Sequence, residues 1–85
     1  MFAKVKSSVF IDDLTLELVA PMQADNLRAI LRDEQGYECS RLVASWPKGQ
    51  RTYTWKGLSD LPYGVYTLEL SQGEDEMRLR MVKRI

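Results

Sequence analysis

The sequence predicts an all-β domain, an antiparallel β-sandwich of about seven strands, and three observations carry that expectation. Apolar and polar side chains alternate with a period of two along most of the chain, which puts one side of each segment in a core and the other in water. β-Branched and aromatic residues gather between turn signals at the spacing of a small all-β domain. The length, 85 residues with 45% hydrophobic and 28% charged side chains, suits one globular domain that buries roughly 60–65% of its unfolded surface.

A first strand is expected near residues 2 to 10. "LTLELV" (14–19) then sets Leu14, Leu16 and Leu18 on one face and Thr15, Glu17 and Val19 on the other, the pattern of a half-buried strand. Pro21, Asp25 and Asn26 break it. "LRAILRD" (27–33) contains good helix formers but reads as a strand, the first arm of a hairpin. Leu27, Ala29 and Leu31 would line one face, with Ile30 outside it or at a bulge. "DEQG" (33–36) is the turn, where Gly36 supplies a positive φ that other residues find costly, and "YECSRLV" (37–43) is the second arm.

"WPKGQ" (46–50) is another break, because Pro47 and Gly49 do not suit a central strand. "RTYTW" (51–55) alternates Tyr53 and Trp55 with threonines, so both aromatics are core candidates. After the crossover "GLSDLPYG", "VYTLELS" (65–71) turns Tyr66, Leu68 and Leu70 inward. Pro62 restricts its own φ and Gly64 frees the backbone, which ends the crossover just before this strand. "QGEDE" (72–76) is a polar hairpin turn. "MRLRMVKR" (77–84) places Met77, Leu79 and Met81 inward and Arg78, Arg80 and Val82 outward, pairing with the strand before it. The total is that of an immunoglobulin-like sandwich.

Twelve Lys plus Arg balance twelve Asp plus Glu, so no overall field draws the chain to nucleic acid or an anionic membrane. Histidine is absent, which removes the commonest general base and transition-metal ligand. There is no P-loop and no glycine fingerprint. No constellation supplies a base, a nucleophile and its activator together, so an enzyme is not expected, and neither is a cofactor. Cys39 is the one cysteine; it forms no intrachain disulfide and reads as a core residue. No apolar run approaches the ~20 residues of a membrane span, and "MFAKVKSSVFIDD" lacks the apolar segment of a signal peptide. The expectation is a chain without membrane insertion and without its own leader, periplasmic, secreted or on a cell surface if it belongs to an exported parent.

Three groups of residues are candidates for function. Asp12 with Asp13, and Glu74, Asp75 and Glu76, offer carboxylates to a hard cation, but neither group has the spacing of a calcium loop, and both read as solvated turn residues. Trp46, between Ser45 and Pro47, is the surface aromatic that could contact a sugar or peptide. Arg78, Arg80, Lys83 and Arg84 make the last strand basic on its outward side and at its end. That row reads either as a solvated face that discourages edge-to-edge aggregation or as a docking strip for an acidic protein partner.

Taken together, "LRAILRDEQGYECSRL", "YTWKGLSDLPYGVYTLEL" and "MRLRMVKR" resemble the C-terminal sorting domains of proteins exported by the type IX secretion system of Bacteroidetes. Those domains carry an Asp-x-x-Gly-like hairpin, matched by Asp33 and Gly36. They also have a Leu-Pro-x-Gly-x-Tyr segment, matched by Leu61, Pro62, Gly64 and Tyr66, and a basic last strand, matched by Arg78, Arg80, Lys83 and Arg84. The similarity spans roughly residues 14 to 84 and consists of strand patterns and turns. The turn, with Trp55 to Gly57 before it, is also similar to the immunoglobulin-like domain of flagellar hook-capping proteins and related accessory modules. Family sorting domains often begin on a Pro-Asn-Pro-like segment, where this chain has "KSSVFIDD". The resemblance implies a β-sandwich that docks on secretion machinery through its last strand. A structural accessory domain and a small carbohydrate- or peptide-binding module are the alternatives.

Overall fold

The computed structural model describes residues 2–20, 26–46 and 49–84, so the breaks expected at Pro21, Asp25 and Pro47 lie outside the described residues. Within them the chain is all-β and holds eight strands: β1 (Ala3–Val5), β2 (Val9–Phe10), β3 (Leu14–Leu18), β4 (Asn26–Arg32), β5 (Glu38–Ser45), β6 (Thr52–Trp55), β7 (Gly64–Gln72) and β8 (Asp75–Lys83). They form two sheets, one ordered β1-β3-β6 and one ordered β2-β8-β7-β4-β5.

The expected first strand is in fact two, which raises the count from about seven to eight. β1 pairs antiparallel with β3, Ala3 opposite Leu18 and Val5 opposite Leu16. β2 leaves that sheet and runs parallel to the end of β8, Val9 opposite Val82 and Phe10 opposite Lys83. The change of sheet is centred on Ser7. Before it, the Lys6 amide donates to the Thr15 carbonyl at 3.1 Å; beyond it, the Ser8 carbonyl accepts from the Val82 amide at 2.8 Å. The Ser7 hydroxyl accepts from the Val9 amide at 3.2 Å. Dividing the strand lets Phe2 and Phe10, one on each side of the break, enter the same core at 4% and 3% exposure.

That core lies between the sheets and is set by parity. Leu14 and Leu16 of β3 and Trp55 of β6 share one buried cluster with Leu27, Ala29 and Leu31 of β4, Leu68 and Leu70 of β7, and Met81 of β8. Burying each large side chain contributes roughly 1.5–3 kcal/mol, which outweighs the helix propensity of residues 27 to 33. Tyr53, Leu18, Met77 and Leu79 are half-buried at the margins. Ile30 lies on the outer face, between Arg41 and Glu69, and the β4–β5 irregularity falls one step later, between Leu31 and Arg32.

Two hairpins build the larger sheet. In the β4–β5 turn the Asp33 carboxylate accepts from the Gln35 and Tyr37 amides, both at 2.9 Å. Gly36 takes φ +89°, where a side chain would be strained. The β7–β8 turn pairs Gln72 with Asp75 and puts Gly73 first in the loop at φ +54°, the position that a two-residue II′ turn reserves for glycine.

Candidate functional site

β8 carries the expected basic strip, and the structure divides it. Even-numbered residues face out: Arg78 and Arg80 are exposed. Odd-numbered residues face in, and this includes Lys83, 3% exposed, whose ammonium donates to the Arg84 carbonyl at 2.9 Å. Lys83 therefore leaves the outward strip to Arg78, Arg80 and the exposed Arg84. It shares its parity with Met81, and its aliphatic stem extends the buried side of the strand.

The edge of β8 is covered only at its end. The Val82 and Arg84 amides donate outward to the Ser8 and Phe10 carbonyls, at 2.8 and 2.9 Å. Alternation along a strand sends the Arg80 and Arg78 amides to the same edge. Among the described residues no strand pairs with them there, because β2 contributes only Val9 and Phe10.

The pairing of β7 with both β4 and β8 gathers further arginines on the outer face. Arg41, Ile30, Glu69 and Arg78 stand in one cross-strand row, and Arg32, Thr67 and Arg80 in the next. Glu69 bridges two strands, one oxygen accepting from Arg32 Nε at 3.0 Å and the other in an ion pair with Arg78 Nε at 3.2 Å. Arg32 also donates to the Gly36 carbonyl at 3.1 Å, and Arg41 pairs with Glu38 at 2.7 Å. Arg28, Arg80 and Arg84 make no ion pair with any described residue. Sequence reading missed Arg28, Arg32 and Arg41 as companions of the last strand. Their signal was parity: Arg28 and Arg32 alternate with Leu27, Ala29 and Leu31 on β4, and Arg41 precedes the inward Leu42 on β5.

The remaining candidates fall elsewhere. Trp46 is half-buried against the core, its ring 5.8 Å from that of Tyr53 and its indole N–H donating to the Gln50 carbonyl at 2.6 Å. Cys39, expected in the core, is exposed. The register steps from Ser40 opposite Leu31 to Glu38 opposite Arg32, so Cys39 is the extra residue of a bulge on an edge strand and is pushed out of the pleat. Asp12 and Asp13 lie in the turn before β3, and Glu74 sits in the β7–β8 turn with Asp75 and Glu76 opening β8. Among the described residues no three metal-ligating side chains converge.

"LPYGVYTLEL" is closed by its own tyrosine. Tyr66 is 3% exposed, and its hydroxyl donates to the Pro62 carbonyl at 2.6 Å, four residues upstream. Its ring meets Phe10 edge-on at 6.1 Å. Burial pushes the phenol above its ordinary range, and the neighbouring Cys39 and Asp33 add to the rise. No protein-family model and no curated protein matches this chain.

Proposed function

We propose that the chain is an immunoglobulin-like, non-catalytic recognition module of the sorting-domain kind, and that it docks on a protein partner, a component of export machinery, through β8. The strand orders support the architecture. Read as an immunoglobulin domain, β1-β3-β6 corresponds to strands A, B and E, and β8-β7-β4-β5 to G, F, C and C′, with β2 the detached part of a first strand shared between the sheets. The Tyr66 bond to the Pro62 carbonyl has the form of the tyrosine corner found at the start of strand F.

The observation that carries the docking mode is the open half of the β8 edge, with Arg78 and Arg80 beside it. An extended acidic segment added to that edge would take main-chain hydrogen bonds from the strand and charge contacts from its guanidinium groups. Deleting residues 77 to 85 is a poor test, because Met81 is fully buried and its loss would unfold the domain. The pair Arg78→Glu with Arg80→Glu, in a cargo fusion, leaves the core intact. Export is expected to fall about tenfold while the far-UV spectrum stays that of the parent, and normal export would refute the reading.

One observation favours a purely structural accessory domain: Glu69 already engages Arg32 and Arg78 in ion pairs within the sheet. On that reading the chain raises the unfolding midpoint of a domain fused to it, and the double charge reversal leaves export unchanged.

A further inference from the structure

Across the outer face of the larger sheet, one cross-strand row is wholly apolar. Val9 of β2 stands opposite Val82 of β8, which stands opposite Val65 of β7. Each is the outward neighbour of a buried residue, Phe10, Met81 and Tyr66. Val9 is 40% exposed, and Tyr63, just before β7, is 71% exposed. The next two rows on this face, Arg32–Thr67–Arg80 and Arg41–Ile30–Glu69–Arg78, carry charge. Two shallow grooves beside this row meet at Val65. One, of about 420 Å³, runs between Tyr63, Val65, Val82 and Arg84; the other runs along Val65, Thr67, Arg78 and Arg80.

The charges around the row are asymmetric. On the β8 side stand Arg80 and Arg84, which pair with no carboxylate of the described residues. On the β4–β5 side Glu34 lines the second groove, and Asp33 joins it in a third groove that borders Tyr63 and Val65. An apolar seat with cations on one flank and carboxylates on the other fits one occupant: an extended segment of a protein partner with a bulky apolar side chain and acidic residues to one side of it. We propose that Val9, Val65, Val82 and Tyr63 form the seat for that side chain, and that Arg80 and Arg84 hold its acidic flank. The proposal rests on the chain being a recognition module. It moves the main contact from the strand edge to the sheet face.

The test titrates the whole domain with three acetylated, amidated peptides, Glu-Glu-Phe-Gly-Gly, Lys-Lys-Phe-Gly-Gly and Glu-Glu-Ala-Gly-Gly, and follows methyl and amide NMR shifts. Saturable shifts are expected at Val9, Val65, Val82 and Tyr63 with the first peptide only. Tyr63→Ala alters an exposed side chain and Val82→Thr keeps the shape of a half-buried one outside the core, so the fold should survive. Each is expected to weaken binding about fivefold or more. Absence of shifts at the valines, or equal binding of the lysine peptide, would overturn the proposal. Shifts that follow protein concentration without peptide would assign the face to a second copy and overturn it too. The titration contains no export component, so its failure and failure of the export test are read separately.

Discussion

Replacing Tyr66 by Phe removes one oxygen from the protein, and the structure gives its worth. The hydroxyl donates to the Pro62 carbonyl at 2.6 Å from a residue only 3% exposed. A net intramolecular hydrogen bond is worth roughly 0.5–1.5 kcal/mol. Pro62 itself is exposed, so its carbonyl regains water in the variant, and a loss near 1 kcal/mol at neutral pH is expected. In a domain of this size that lowers Tm by about 4–8 °C. The same substitution changes the response to alkali. The folded phenol is raised by burial first, then by Cys39 and Asp33, whereas the unfolded one titrates near its ordinary value of about 10. Between those values the native state holds a proton that the unfolded state has lost, so stability falls as pH rises. The stabilisation is therefore complete below about pH 10 and disappears as pH climbs through the folded value. Urea titrations of parent and Tyr66→Phe at neutral and alkaline pH measure both effects. Equal stability at neutral pH, or a gap that widens with alkali, would refute the reasoning.

Two further expectations use the same unfolding measurements. Leu68→Ala empties a fully buried position and should cost about 2–5 kcal/mol, against less than about 0.5 kcal/mol for Thr67→Ala one residue away on the outer face; similar costs would contradict the assigned parity. Glu69→Gln removes the shared partner of Arg32 and Arg78, whose side chains are 35% and 75% exposed. Exposure and screening hold the loss to about 1 kcal/mol or less, and a loss that persists undiminished at molar salt would show that it is not ionic.

The basic strip shows how local rules succeed and fail on neighbouring residues. Arg78 and Arg80 face outward as their alternation with Leu79 and Met81 requires. Lys83 obeys the same alternation and is buried by it, yet a lysine is read from composition as surface. Cys39 fails in the opposite sense: a lone thiol suggests core, but a register step on an edge strand turns it out. Neither outcome is written in residue type. The first follows from the parity that Lys83 shares with Met81, the second from the register in which β5 pairs with β4.

What the sequence by itself determined is the inward and outward face of β3, β4, β6, β7 and β8 and the two hairpins. Strand side chains alternate whatever lies alongside, and turn residues act through their own backbone. Only the tertiary structure decided the division of the first strand between two sheets, and the placing of β7 between β4 and β8. That adjacency joins Arg32 and Arg78 across Glu69 and lines up Val9, Val82 and Val65. The Arg32–Glu69 contact links residues 37 positions apart and Val9–Val82 joins the two ends of the chain, and such pairing is selected by how the whole apolar set fills one core, which no local window of sequence contains.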